Sequence, residues 1–226
     1  CETFPIDIRH AANRNFWQDP RFQKPDGSFE PDGWFGGGND LRYFPVNLCG
    51  WSLASAAYCP KEPMPEDPLK LGGVPFKMTD PLKNGGRGIL VVNPGETREI
   101  VLEKPLVADR IHFRGAFEAW EHPDGLWGGP PTHFAVEITV NGESRPVQIV
   151  RQGVHVGWFR MCNSLTEGRA AWTGRTPSDP TATLYRWTAN LPRTTKVEKI
   201  SFRHTGSISG LGLVAVTAEK DVDIGE

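Results

Sequence analysis

Tryptophan and its polar neighbours supply most of the chemistry this chain can offer. The segment FEAWEHPDGLW brings Trp120, His122, Asp124 and Trp127 together, and a later stretch carries Trp158, Arg160, Trp172 and Arg175. A sugar ring presents an apolar C–H face and a rim of hydroxyls. Indole stacks on the first, while Arg, Asp and His hydrogen-bond the second. Those eight residues are therefore the candidate ligand-binding set, for an oligo- or polysaccharide. Arg160 and Arg175 add planar forks that can hold two adjacent hydroxyls or the carboxylate of an acidic sugar. A competing use for the same indoles is to fold inward and seal one end of the domain, and at least half of them are expected to do so.

Other chemistries find less support. There is no G-x-S-x-G elbow, and no Ser, His and Asp trio is suggested by spacing. GWFGGGND, Gly33 to Asp40, follows no strand and opens no helix, so it reads as a tight turn and not as a dinucleotide fingerprint. Glu118, Glu121 and Asp124 share one Trp-bearing segment and are the carboxylates a glycoside hydrolase would draw on. No cofactor is expected. Calcium is the metal most compatible with Asp19, Asp26, Asp32 and Asp40, but they match no twelve-residue ligand pattern and read first as turn and cap formers. The cysteines Cys1, Cys49, Cys59 and Cys162 form no C-x-x-C pair, and no His sits at ligand spacing, so structural zinc is not expected. Cys49 and Cys59 flank one segment; a short disulfide between them and a pair of buried thiols are both open readings.

The elements that must position these side chains are strands. In HFAVEITV, Phe134, Val136, Ile138 and Val140 alternate with His133, Glu137 and Thr139, and Asn141-Gly142 follows before a second alternating run from Arg145 to Val150. Asn-Gly between two such runs predicts a β-hairpin, because both turn residues tolerate positive φ. Further strands are predicted at Gly88–Val92, Arg98–Glu103, Arg110–Arg114, Thr183–Trp187, Lys199–His204 and Leu211–Ala218. Helical periodicity is nearly absent; only Trp51 to Tyr58 could hold a turn or two. Eight or so strands without intervening helices predict an all-β fold, an antiparallel β-sandwich. Three stretches, from about Asn13 to Leu41, Ala116 to Thr132 and Val156 to Thr181, are too long for simple connections, and each carries Trp.

Bulk properties agree. Gly 25 and Pro 20 are scattered without period, which suits many strands joined by tight turns. A net charge of −2 leaves no basic footprint for nucleic acid. No segment approaches the ~20 apolar residues of a membrane helix. Residues 1–226 read as one domain, with Lys220 to Glu226 a charged tail or the start of a linker. Cys1 as first residue is what a processed bacterial lipoprotein would show. The expected location is secreted, periplasmic or at the cell surface.

The succession NDLRYFP, GGVPFKMTDPLKNGGRGILVV and DRIHFRGAFEAW, continued by VGWFR, AAWTGR and TLYRWTANLPRTTKVEKISF, resembles galactose-binding-type β-sandwich modules attached to bacterial polysaccharide-processing enzymes. The resemblance runs from about Asn13 to Ala218. It implies a jelly roll of the galactose-binding-domain-like type. It also implies that Val74, Pro75 and Phe76 form a core strand, that Trp187 and Asn190 are scaffold, and that Trp120, Trp158 and Trp172 lie near the loop end where ligands sit. The Pro-rich run from Pro60 to Pro68, between the two cysteines and the GGVPF stretch, departs from the pattern. Three functions follow as expectations: a non-catalytic carbohydrate-binding module, accessory to a catalytic domain of the same polypeptide; a structural sandwich packed on such a domain; or a glycan hydrolase using the loop carboxylates.

Overall fold

The structure, a computed structural model, describes residues 1–15, 20–31, 73–117, 135–157, 164–174, 182–206 and 210–222. They form eight strands: β1 Glu2–Ile6, β2 Leu90–Val92, β3 Thr97–Phe117, β4 Ala135–Val140, β5 Gln148–Arg151, β6 Arg169–Gly174, β7 Ala182–His204 and β8 Leu211–Lys220. Every pairing is antiparallel. The path runs β1-β8-β3-β7-β4-β5, with β2 sharing β8 with β1 and β6 sharing β7 with β4. Helix among the described residues is limited to two 3-10 turns, Pro20–Phe22 and Pro81–Asn84. The all-β antiparallel class is as expected.

The hydrogen bonding is that of one continuous sheet, where two were expected. The reason lies in two long strands, β3 of 21 residues and β7 of 23, each of which joins two of the predicted short strands. Their ladder is interrupted twice. Between the pairs Val101↔Lys199 and Leu106↔Val197, the β3 residues Leu102 to Pro105 face Glu198 alone. Between Ala108↔Thr195 and Arg110↔Asn190, the β7 residues Leu191 to Thr194 face Asp109 alone. Each excess contains a proline, Pro105 or Pro192, which has no N–H to give to a ladder. The two excesses cancel, so the strands stay paired through the corner and bend together.

The bend is sharp. Trp187 and Phe202 lie fifteen positions apart on β7, a span of roughly 50 Å if extended. Yet the Phe113 ring stacks on Trp187 at 5.6 Å and meets Phe202 edge-on at 5.8 Å. The two halves of the β3–β7 ladder therefore fold onto each other around these three buried rings. Ile100, Ile111, Val136, Ile138, Val150, Ile200, Leu213 and Val216 complete the core.

The predicted hairpin forms, with Val136, Ile138 and Val140 buried; Phe134 lies outside the described residues. Asn141 and Gly142 both take positive φ, 55° and 75°, and Glu143 N–H donates to the Val140 carbonyl at 3.1 Å. Pairing resumes only at Gln148, so the connection is longer than the predicted two-residue turn. Asn141 is otherwise engaged. Its Nδ2 donates to the Lys196 carbonyl at 2.7 Å, and its Oδ1 accepts from the N–H groups of Glu198 and Lys199 at 2.8 and 3.2 Å. The turn is thus pinned to the corner of β7 instead of closing tightly on β5.

Four other expectations change. Residues 73–80 hold no strand: Val74, Pro75 and Phe76 cross the sheet, and the Val74 and Pro75 carbonyls accept from the Arg114 guanidinium and Thr217 hydroxyl at 2.5 and 2.6 Å. Side chains rising from the sheet thus take the place of ladder partners. The third long loop contains a strand, β6. β1, unpredicted, lies at the sheet edge, where Pro5 is tolerated. Lys220 and Asp221, expected to begin a tail, are held: Lys220 pairs with Glu2, and Asp221 N–H donates to Asp109 at 2.9 Å. The stretch Trp51 to Tyr58 and the cysteines Cys49, Cys59 and Cys162 lie outside the described residues; Cys1 is an exposed thiol. No helix of the described residues is long and apolar enough to cross a membrane.

Candidate functional site

Alternation on three adjacent strands divides the sheet into an apolar and a polar face. On β3, Ile111 and Phe113 enter the core, and Arg110, His112 and Arg114 point the other way. Cross-strand partners share a face, so the registers assemble three rows across β7, β3 and β8: Asn190–Arg110–Glu219, Thr188–His112–Thr217 and Arg186–Arg114–Ala215. β6 extends the last row, because Arg169 pairs with Arg186.

Thr188, His112, Glu219 and Arg110, from the first two rows, form one hydrogen-bonded network. His112 Nδ1 lies 2.8 Å from the Thr188 hydroxyl, and Nε2 lies 3.0 Å from Glu219 Oε2. Arg110 donates to Glu219 Oε1 at 2.8 Å and also pairs with Asp221. Burial pushes the His112 pKa below the ordinary value, with Glu219 opposing. The imidazole is thus held neutral, with each ring nitrogen engaged. A hydroxyl, an imidazole and a carboxylate in series could serve acyl transfer, but here Glu219 is also neutralised by Arg110 and the chain behaves as a satisfied polar layer.

The third row carries charge. Arg114 is buried, with its guanidinium 5.1 Å from the centre of the Phe76 ring. Its pKa is lowered to about 10, first by burial and then by the positive charge of Arg169. Arg186 is half-buried and Arg169 exposed, so the row runs from the interior out to solvent.

Of the predicted ligand-binding residues, Trp172 is described. It sits on β6 opposite Leu184, 7% exposed and part of the core. It is one of the indoles that are buried: pairing opposite Leu184 puts it on the same face of the sheet as Arg186, two residues along β7. Trp120, His122, Asp124, Trp127, Trp158, Arg160 and Arg175 lie outside the described residues, as do Glu118, Glu121, Asp19, Asp32 and Asp40. The roots of their segments are nevertheless close together. Phe117, the residue before the first segment, pairs with Leu211, and its N–H donates to the carbonyl of Gly157, the residue before the second, at 3.2 Å. Gly174, the residue before Arg175, pairs with Ala182 at the same end of β7. The arginine row crosses the sheet about 10 Å inward from that end, three strand residues from Phe117.

Asp26 accepts from the Ser28 N–H and hydroxyl at 2.9 and 2.6 Å, which is turn-forming behaviour. Among the described residues no group of three His, Cys, Asp or Glu side chains is placed to hold a metal. The arginine row was missed at the sequence level, although its signal is present: in DRIHFRGAF and TLYRWTAN the polar phase of the alternation is rich in Arg, His and Thr instead of the Lys and Glu usual on a solvated face.

No protein-family model matches the chain, and no curated protein does. Among solved structures it is similar to the catalytic unit of a thermostable GH87 alpha-1,3-glucanase from Streptomyces thermodiastaticus strain HF3-3, with a TM-score of 0.35 and 15% identity over 62% of this chain and 21% of that one. A GH87 alpha-1,3-glucanase catalytic domain in complex with tetrasaccharides gives a TM-score of 0.36 and 16% identity, covering 62% and 23%. A GH115 4-O-methyl-alpha-glucuronidase with specificity for decorated arabinogalactans gives 0.31 and 10%, covering 60% and 15%. The chain spans less than a quarter of the length of each of these proteins.

Proposed function

We propose that this chain is a non-catalytic carbohydrate-binding module, a β-sandwich of the galactose-binding type made by folding the long β3–β7 ladder over itself. It would bring a catalytic domain of the same polypeptide to a polysaccharide outside the cell. The observation that carries this reading is the convergence of Phe117, Gly157 and Gly174 at one end of the sheet. From these points depart the segments bearing Trp120, Trp127, Trp158, Arg160 and Arg175. Indoles and forked donors rooted at one end can act on one ligand, stacking on its apolar face and hydrogen-bonding its rim. An exposed indole contributes on the order of 1–3 kcal/mol, which places the expected affinity at roughly micromolar to millimolar.

Affinity electrophoresis in gels cast with neutral and acidic polysaccharides tests this reading. The wild-type chain should be retarded by at least one polymer. At least one of Trp120→Ala, Trp127→Ala and Trp158→Ala should lose that retardation with its melting temperature nearly unchanged. Retardation that survives all three substitutions, or release of reducing ends from the polymer, would refute it.

A further inference from the structure

Two of the buried imidazoles differ in what a second proton would do to them. His112 lies between a hydroxyl, Thr188, and a carboxylate, Glu219. A hydroxyl donates or accepts as required, so that ring can gain a proton and keep both bonds. His155 has no such latitude. Its Nδ1 lies 3.1 Å from the backbone nitrogen of Arg151, whose N–H can only donate, and its Nε2 lies 3.1 Å from Glu167 Oε2, which as a carboxylate can only accept. The partners therefore fix the neutral tautomer with its proton on Nε2. A second proton, on Nδ1, would set two N–H groups against each other.

That ring closes a seam between two stretches of chain. The Val154 carbonyl accepts from the N–H groups of both Glu167 and Gly168, at 2.9 and 2.8 Å. Gly168 approaches so closely that a Cβ there would stand 1.9 Å from the His155 carbonyl oxygen. The turn is tied by the N–H groups of Gly153 and His155, which donate to the Val156 and Arg151 carbonyls at 3.0 and 3.1 Å. Val156 anchors one side of the seam in the core, whereas residues 164–168 are exposed or half-buried. The exposed side is therefore the one that can part.

We propose that His155 is an acid-opened latch: protonation of Nδ1 breaks its bond to the Arg151 N–H, and the seam between residues 151–156 and 164–168 opens. Among the described residues, the charged groups that act on the ring are Glu167, which favours the imidazolium, and Arg151, which opposes it. Burial outweighs both and holds the His155 pKa below the ordinary value, so the latch is closed at neutral pH and opens on acidification. The latch is independent of the carbohydrate-binding reading. Its consequence there is that acid releases one end of the segment bearing Trp158 and Arg160, which meets the seam at residue 164.

Amide hydrogen exchange of the full chain, followed by NMR and expressed as protection relative to an unstructured chain at the same pH, tests the latch. Protection at Glu167 and Gly168 should fall about tenfold between pH 7.5 and 5, within the tenfold per pH unit that one proton can drive. Ile111 and Ile200, in the β3–β7 ladder, should stay protected. His155→Asn puts an amide oxygen near the position of Nδ1 with nothing to titrate, and should keep the seam protected at pH 5. Glu167→Gln should move the midpoint of the loss to lower pH and Arg151→Gln to higher pH, each by roughly 0.2–0.7 pH units. Both retain the imidazole, so they decide the matter if the Asn variant fails to fold. Seam protection that is indifferent to pH, that falls equally in His155→Asn, or whose midpoint neither charge substitution moves would overturn the latch. So would parallel loss at Ile111 and Ile200, because acid would then be unfolding the whole sheet.

Discussion

At the scale of single residues, the polar side chains of this protein are used mainly to take the place of backbone. The Asn13 amide donates to the Val91 carbonyl at 3.0 Å and accepts from the Val91 N–H at 2.8 Å, as an extra strand residue would. Asn141 does the same at the corner of β7. The buried histidines make a different contribution, which depends on pH. His112 and His155 both have pKa values below the ordinary 6.5, chiefly because burial disfavours the imidazolium, with Glu219 and Glu167 opposing. Above about pH 6.5 both are neutral in the folded and unfolded chain, and full stability is present. As the pH falls below that value the unfolded chain takes up protons more readily, so stability is lost as pH drops toward and through the folded pKa. The carboxylates Asp7, Glu96 and Glu99 are held low by their hydrogen-bond partners and charge partners, so their loss belongs to a separate window below about pH 4.5. Urea midpoints should therefore fall between pH 7.5 and 5.5, and fall less in a His112→Gln, His155→Gln double variant. Equal falls in the two proteins would exclude the histidines as the cause.

At the scale of elements, the corner where β3 and β7 bend together is the distinctive feature. Prolines 105 and 192 mark the places where the ladder gives way, and Asn141 ties the neighbouring turn to the bent strand through three hydrogen bonds. Two substitutions separate what Asn141 contributes. Asn141→Gly keeps a residue suited to positive φ and loses the side-chain bonds, and should cost about 1–3 kcal/mol. Asn141→Ala loses the same bonds and adds backbone strain, for about 1 kcal/mol more. Chemical denaturation of the three proteins provides the check; equal stability of the Gly variant and wild type would mean that the corner holds itself without the turn.

For the molecule as a whole, Phe113, Trp187 and Phe202 join the two halves of the bent ladder. Truncating the central ring, Phe113→Ala, should remove about 3–5 kcal/mol. If the halves are one cooperative unit, near-ultraviolet circular dichroism and protease resistance should be lost together, at one lower temperature. Two separated transitions would show that each half folds alone and that the rings merely touch. The same sheet carries the candidate site on its opposite face, so the fold that buries the rings is also what lines up Arg114, Arg186 and Arg169. Loss of these rings should therefore reduce the proposed polysaccharide binding only as the protein unfolds.

The sequence by itself determined the all-β class, the Asn141-Gly142 turn, and the phase of β4, because side-chain alternation is a local property of extended backbone and is written in consecutive residues. Pro105 and Pro192 stand in the chain between the four short strands predicted where β3 and β7 lie. Only the tertiary structure decided that pairing continues past those prolines, that Trp172 is buried on a strand of its own, and that three arginines form a row. Arg114 and Arg186 are more than seventy positions apart in the chain yet directly opposite in the sheet. Which residue meets which across a ladder depends on register, and register is set by packing and by complementary bulges in both strands, not by the alternation of either one.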